Sequence, residues 1–225
     1  MDAISVIMPY FNRREVLEET LEGYRLLYGA DVEIVIVDDG SSKRLEPIAG
    51  AKVINLPRKD EGRAPVVAFN IGVEYAEHDI IAISLPEVLH GTQTLYEMRE
   101  LCEEGCYVIA PCWCESTGRW VAAPNVEPKE GQQHYKPRGV GFNFCVMFRR
   151  ALWNSIGGMS REYRHGSHFE DTDFAWKVKK SGASIRWAQS HVTHTRKNGA
   201  HANWVKGGWE RNRGIFLKEW ECDVM

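Results

Sequence analysis

The sequence predicts an α/β fold, with one mostly parallel sheet flanked by helices in a single domain. First, short apolar runs typical of buried strands alternate with segments of helical periodicity through the first half of the chain. Second, polar segments follow several of these runs, which places them at the carboxyl edge of a parallel sheet, where such folds bind ligands. Third, 225 residues are enough to bury a sizeable core.

The first half of the chain is predicted as repeated strand and helix units. Strands are expected at residues 4–8, 33–37, 52–55, 80–84 and 107–111. Between them, helices are expected after the first strand and at residues 66–76 and 92–104, since apolar side chains such as Leu17, Leu21, Tyr24 and Tyr28 recur at helical spacing.

The second half is less regular. Residues 115–138 are rich in Pro, Gly, Asn and Gln, so we predict a long loop that binds the acceptor or acts as a lid. A strand at residues 142–148, helices at 150–156 and 169–181, a short strand at 185–188 and a helix at 203–220 are expected to follow.

Charge is divided unevenly along the chain. Residues 1–110 hold 10 Lys and Arg against 20 Asp and Glu, whereas residues 111–225 hold 18 against 11. The basic half is either a solvated surface or a face for an anionic acceptor. No apolar run approaches the ~20 residues that span a bilayer. We therefore expect a cytoplasmic protein without a transmembrane segment, with peripheral attachment to a membrane through the basic half as a second option.

Four cysteines crowd together at Cys102, Cys106, Cys112 and Cys114. Their spacing is not one of the usual zinc patterns, and cytosolic thiols stay reduced. Buried thiols are therefore favoured over a metal site.

Two acidic pairs are candidates for chemistry. Asp38 and Asp39 follow the second predicted strand, where they can contact a ribose or base, hold a metal, or simply form a turn. Glu170 and Asp171 begin a predicted helix. Ser167 and Glu170 have the spacing of a capping box, which leaves Asp171 as a candidate general base or as a charge that stabilises the helix dipole.

Two histidines, His191 and His194, lie beyond the strand predicted at 185–188. Either can bind a divalent ion together with a carboxylate such as Glu87, because imidazole and carboxylate together suit Mn²⁺ and similar ions. A purely structural role is the alternative.

Six segments, in this order, resemble the family 2 glycosyltransferases of the GT-A fold. They are VIMPYFN at 6–12, EIVIVDDGSS at 33–42, the stretch 62–72 with AFNIG, the stretch 142–150, GGMSRE at 157–162 and EDTDF at 170–174. The Gly-Gly followed by Glu-Asp is the strongest single signal. In the third segment Phe69 stands where the family usually has Arg.

The resemblance implies a nucleotide-sugar donor, a divalent metal and an inverting reaction. Residues expected to hold the nucleoside are Pro9, Tyr10, Asn12 and Asp38. Those expected near the ribose and phosphates are Asp39 and Arg63. Asp171 would be the general base, with Glu170 beside it in the catalytic pair. A uridine diphosphate donor is implied by its frequency in the family.

The chain departs from the family pattern after the fourth strand. Where the family normally has Asp-x-Asp, this sequence has Leu85-Pro86-Glu87, which keeps only the last carboxylate. The resemblance still implies that Glu87 and His194 bind Mn²⁺ or Mg²⁺. The lost first carboxylate bears on metal affinity and donor choice.

The sequence therefore predicts an inverting glycosyltransferase that uses a UDP-linked sugar and a hydroxyl acceptor. Residues 1–112 would bind the nucleotide sugar, and residues 113–225 would bind the acceptor and supply the base. The acceptor is a glycan, a lipid-linked glycan or, given the basic half and its tryptophans, a hydroxymethylated base of DNA. A catalytically degenerate nucleotide-sugar-binding protein is the alternative. A dehydrogenase is disfavoured because no G-x-G-x-x-G follows the first strand.

Overall fold

The structure is a computed structural model, and it describes residues 2–57, 64–124, 140, 144–195 and 207–220. In chain order the strands are β1 (Ile4–Tyr10), β2 (Val32–Asp38), β3 (Lys52–Asn55), β4 (Ile80–Ser84), β5 (Val88–His90), β6 (Cys106–Ile109), β7 (Cys112–Cys114), β8 (Arg119–Ala122), β9 (Cys145–Arg149), β10 (Ser184–Trp187) and β11 (Val192–His194). The helices are α1 (Arg14–Tyr28), α2 (Val66–Tyr75), α3 (Thr94–Leu101), α4 (Arg150–Ser155), α5 (Glu170–Lys180) and α6 (Gly208–Trp220), and a 3₁₀ helix covers Arg161–His165.

The larger sheet has seven strands in the order β10-β6-β9-β4-β1-β2-β3. Strands β1 to β4 are parallel, and so are β6 and β10, while β9 pairs antiparallel with both β4 and β6. The predicted mostly parallel α/β sheet is therefore confirmed. Strand β9 lies between β4 and β6 and so connects the two parallel parts of the sheet by hydrogen bonds.

Apolar side chains pack on both faces of this sheet. One core contains residues of α1, α3 and the smaller sheet, and the other contains residues of α2, α4, α5 and α6. Helix α1 buries one stripe, which includes Leu17, Leu21 and Tyr24, and it ends at Gly29, whose φ of 57° suits glycine. Helix α2 lies so close to β1 that a Cβ at Gly72 would stand 2.3 Å from Cγ2 of Ile7.

A second sheet of four strands, in the order β5-β11-β7-β8, was not predicted. Strand β8 lies inside the segment 115–138 that we predicted as a loop, so that prediction is wrong for residues 119–122; residues 125–138 lie outside the described part of the chain. These strands have only three or four residues each, too few to show a period.

The predicted capping box of Ser167 and Glu170 is also wrong. Helix α5 begins at Glu170, and the residue before it, Phe169, has a left-handed φ of 70°. His168 is left-handed as well, with φ 63°. Because these two residues turn the chain, the main-chain N–H of Ser167 donates instead to the carbonyl of Gly208 at 3.2 Å.

The four clustered cysteines are buried as free thiols, as is Cys145. Across the described part of the chain, each helix is too short or too polar to cross a membrane.

Candidate active site at the carboxyl edge of the sheet

Strands β1, β2 and β4 end side by side. The last residue of β1, Tyr10, is in register with Asp38, the last residue of β2. Pro9 and Tyr10 are both buried. Burial raises the pKa of the Tyr10 phenol, and the nearby charge of Asp38 raises it further. The fold therefore brings the predicted nucleoside residues of the first two strands to one edge.

Asp38 stabilises the loop that follows it. Its Oδ1 accepts from the main-chain N–H of Ser41 at 2.9 Å, and its Oδ2 accepts from that of Leu45 at 3.0 Å. Asp38 therefore stabilises a turn, which is one of the roles that the sequence predicted for it. The Asp38 side chain is buried, with 1% of its surface exposed.

Asn12 joins the loops that follow β1 and β2. Its Oδ1 accepts from the N–H and the hydroxyl of Ser42, both at 2.9 Å, and its own N–H donates to Oγ of Ser41 at 2.9 Å. The main-chain N–H of Asp39 donates to the carbonyl of Tyr10 at 2.8 Å, and Asp39 is buried. Arg63, the remaining predicted nucleotide residue, lies outside the described residues.

Glu87 lies beyond the end of β4 and faces two basic side chains. Its Oε1 is 2.6 Å from Nη1 of Arg13 and 3.8 Å from Nε2 of His194. Burial alone would raise the pKa of Glu87, but His194 and the Arg13 guanidinium outweigh it and lower this pKa to about 2. For His194, burial acts to lower the pKa, while the charges of Glu87 and Cys114 act to raise it, and the net pKa is raised.

The smaller sheet explains why His194 faces Glu87. Strand β11 pairs antiparallel with β5, so His194 is opposite Val88, and the N–H of Thr195 donates to the carbonyl of Glu87 at 2.8 Å. His191, the other candidate, is exposed and lies edge-on to the ring of Trp120, with centroids 5.4 Å apart. The structure thus brings His194, rather than His191, to the carboxylate.

Glu87 and His194 fit one side of a divalent cation site. Their facing atoms are 3.8 Å apart, less than twice the usual metal-to-ligand distance of about 2.1 Å, so one ion can contact both. Nδ1 of His194 is buried without a hydrogen bond to any described residue. Within the described ranges, no group of three or more His, Cys, Asp or Glu side chains could hold a metal. Any ion here would therefore need oxygens from a diphosphate or water as well.

Helix α1 supports the segment that carries Glu87. The hydroxyl of Thr20 donates to the carbonyl of Pro86. Farther along the helix, the hydroxyls of Tyr24 and Tyr28 contact the two ring nitrogens of His90 at 3.0 and 2.7 Å. Burial lowers the pKa of His90 to about 3, so its imidazole is neutral. Sequence analysis missed both Arg13 and His90.

Glu170 and Asp171 lie at the start of α5, toward the same carboxyl edge of the larger sheet. Helix α5 ends at Lys180, and β10 begins four residues later at Ser184, beside the start of β6. The end of the helix therefore lies near the start of these strands. The helix runs antiparallel to them, and its first residues lie toward their carboxyl ends. Oε2 of Glu170 is buried. Burial raises the pKa of Glu170 to about 8, with a further contribution from the charge of Asp171. Asp171 is half-buried.

Comparison with known proteins identifies the family. The profile described as "Glycosyl transferase family 2" matches residues 5–155. The chain belongs to this family. Among curated proteins it is similar to chondroitin synthase of Escherichia coli, at 29% identity over 91 residues that cover 37% of this chain and 13% of that protein.

Solved structures of glycosyltransferases have the same fold. The mannosyltransferase PcManGT from Pyrobaculum calidifontis, in complex with GDP-Man and Mn²⁺, has a TM-score of 0.63 at 16% identity and covers 96% of this chain and 62% of that one. S. aureus TarS 1-349 has a TM-score of 0.66 at 20% identity and covers 86% and 60%. The predicted GT-A fold is thus confirmed. The family 2 chain spans about three fifths of the length of these proteins and a smaller share of the curated relative.

Proposed function

We propose that this family 2 domain is an inverting glycosyltransferase that transfers a sugar from a UDP-linked donor to an acceptor hydroxyl. The observation that carries the proposal is the Glu87 and His194 pair, 3.8 Å apart, beside the loops of Asn12 and Asp38 at the carboxyl edge of the sheet. Residues 1–112 would bind the donor, and residues 113–225 would bind the acceptor and supply the base.

The donor half is proposed to hold the nucleoside at Pro9, Tyr10, Asn12 and Asp38, and the ribose and phosphates at Asp39 and Arg63. Mn²⁺ or Mg²⁺ would be bound by Glu87 and His194 together with the diphosphate. When bound, such an ion would neutralise the negative charge that grows on the leaving diphosphate. The pairing of PcManGT with GDP-Man and Mn²⁺ supports a nucleotide-sugar and metal chemistry in this fold.

Asp171 is proposed as the general base. It would take the proton of the acceptor hydroxyl while the acceptor oxygen forms a bond to the anomeric carbon and the diphosphate leaves with the electron pair of the broken bond. Because the pKa of Glu170 is raised to about 8, Glu170 is protonated at neutral pH. We propose that the negative charge of the pair then lies on Asp171, where the proton is to be received.

The nature of the acceptor is a further proposal. A glycan or lipid-linked glycan is favoured, and the likeness to chondroitin synthase supports a glycan. A hydroxymethylated DNA base is the second candidate, favoured by the contact between Trp113 and Trp120, whose ring centroids are 5.3 Å apart, in a half of the chain that is basic. DNA binding would weaken steeply with salt. The cytoplasmic location expected from the sequence stays a prediction.

Calorimetric titration with UDP, GDP and CDP, each with Mn²⁺ and then with EDTA, tests the donor side. We expect one diphosphate to bind in a metal-dependent way and Glu87→Gln to lose that dependence. Asp171→Asn should bind the same diphosphate as tightly as the wild type but transfer sugar about 10²- to 10⁴-fold more slowly. Failure of every diphosphate to bind a folded protein would contradict the proposed donor site, whereas metal-dependent binding without any sugar transfer would favour the degenerate nucleotide-sugar-binding protein. Undiminished transfer by Asp171→Asn would remove it as the base.

A further inference from the structure

The turn that leads into the Glu170 and Asp171 pair is strained. His168 and Phe169 have φ angles of 63° and 70°, in the left-handed region that side chains other than glycine rarely adopt. Two such residues in succession persist only where surrounding contacts hold them. Their conformation sets the direction in which α5 begins, and therefore where Asp171 lies.

Helix α6 supplies those contacts through Asn212. The Asn212 side chain is fully buried, and its Nδ2 donates to the carbonyls of His168 at 2.9 Å and of Tyr163 at 3.2 Å. These two carbonyls lie on either side of the turn that contains Gly166. A single amide thus joins the end of the 3₁₀ helix to the first left-handed residue.

Aromatic packing holds the second left-handed residue. The ring of Phe169 is buried, and its centroid lies 5.6 Å from that of Trp209 and 5.4 Å from that of Phe216, both on α6. Residues 209, 212 and 216 recur at helical spacing, so they present one face of α6 to this turn.

The approach of α6 to the turn leaves no room for a side chain. A Cβ at Gly166 would stand 2.2 Å from Oδ1 of Asn212 and 2.6 Å from the carbonyl oxygen of Gly208. The same turn reaches the donor side, because the carbonyl of Gly166 accepts from the N–H of Ala64 at 2.8 Å. A displacement of Asn212 would therefore be transmitted to the start of α5.

We propose that Asn212 is a positioning residue for the general base: it holds the left-handed turn at His168 and Phe169 and so fixes Asp171 in the geometry that removes the acceptor proton. This inference rests on the proposed role of Asp171. It predicts that loosening Asn212 slows the chemical step more than it weakens donor binding, because most of the proposed donor contacts lie on β1, β2 and the Glu87 segment.

The test compares Asn212→Ala with a matched control, Arg150→Ala. Arg150 also donates to main-chain carbonyls, those of Val73, Ala76 and His78, but at the opposite edge of the sheet before β4. Hydrolysis of UDP-glucose and UDP-N-acetylglucosamine, in which a water molecule takes the place of the acceptor hydroxyl, is measured as UDP release over a range of donor concentrations. For Asn212→Ala we expect kcat to fall about 10- to 100-fold with KM for the donor within about twofold of the wild type. Arg150→Ala should lose as much thermal stability and keep its kcat.

Two further variants keep the inference falsifiable. Gly166→Ala retains the Asn212 amide but places a methyl group against it, so it should show a similar fall in kcat. If the Asn212→Ala variant does not fold, the Asn212→Ser variant is measured in its place. An unchanged kcat in Asn212→Ala or Asn212→Ser, or a fall no larger than that in Arg150→Ala, would overturn the inference. Asp171→Asn is measured in parallel to separate the proposed base from the proposed positioning residue. If Asp171→Asn loses transfer while Asn212→Ala does not, only the positioning role of Asn212 fails. If Asp171→Asn keeps transfer, both roles fail.

Discussion

The ion pair between Arg13 and Glu87 predicts that Arg13 competes with a metal ion at the proposed Glu87 and His194 site. The guanidinium lies 2.6 Å from the same carboxylate oxygen that faces His194. A metal ion shared by Glu87 and His194 would compete with the guanidinium, since two cations close to one carboxylate oxygen repel each other. Replacing Arg13 by Gln should therefore tighten metal binding.

The size of the effect follows from the geometry. The side chains of Arg13 and Glu87 are 27% and 15% exposed, so solvent screens the pair only in part. At an effective dielectric constant of about 20, two unit charges about 4 Å apart attract by about 4 kcal/mol. A displaced guanidinium regains its hydration, so we take about 1.5 to 3 kcal/mol, the net value of a hydrogen bond to a charged group. This corresponds to a Kd for the metal about 10- to 150-fold lower in the variant.

Electron paramagnetic resonance of free Mn²⁺, at neutral pH and without nucleotide, measures this Kd directly. Arg14→Gln is the matched control, because Arg14 makes a 2.6 Å pair with Glu18 one residue along the chain, where both side chains are well exposed at 46% and 57%. We expect Arg14→Gln to match the wild type and Glu87→Gln to lose binding. If Arg13→Gln binds Mn²⁺ no more tightly than the wild type, the guanidinium does not compete for the site and the reasoning is refuted.

Three other variants test separate parts of the structure. Burial lowers the pKa of His90 to about 3, below its unfolded value of about 6.5. The unfolded state therefore takes up a proton first, and the free energy of unfolding falls as the pH drops from about 6.5 to about 3. In urea unfolding, the free energy of unfolding of His90→Asn should fall less steeply over this range. Glu170→Gln should transfer sugar at a near-normal rate at neutral pH, because Glu170 is protonated there. Its pH-rate profile should lack the change in rate near pH 8 that the ionisation of Glu170 would cause. A large loss of rate at neutral pH would contradict this. Gly72→Ala should lower the unfolding free energy by about 1 to 3 kcal/mol in thermal melts, since its Cβ would overlap Ile7, whereas Gly23→Ala, which meets only open space, should not.

The parallel sheet could be predicted from the sequence because its units are local. In β1 and α1, for example, a run of buried apolar residues is followed by a helical stripe, and both patterns are visible in adjacent residues. The smaller sheet could not be predicted in this way. Val192 pairs with Cys112 on one side and with His90 on the other, so these short strands are defined by partners far away in the sequence.

The candidate site was predicted in part for the same reason. Motifs at the ends of strands indicated Asp38 and Glu87, and a motif at the start of a helix indicated Glu170 and Asp171. The fold places these segments toward the carboxyl edge of the sheet. The partner of Glu87 depends instead on how the loop after β1 approaches the loop after β4. Arg13 and Glu87 are 74 positions apart, and nothing in either local sequence indicates the contact.

Leu85 explains why a single carboxylate suits this site. It stands where the family usually has the first acid, and its partly buried side chain packs against both apolar cores at the end of β4. Its N–H donates to the carbonyl of Phe144 at 3.1 Å, which fixes the backbone there. An acid at this position would be desolvated and would add a second negative charge near Glu87, which Arg13 already balances. Leu85→Asp should therefore lower the unfolding free energy by about 1 to 3 kcal/mol without metal and recover part of it when Mn²⁺ is added. A variant as stable as the wild type without metal would show that this position tolerates an acid and would contradict the argument.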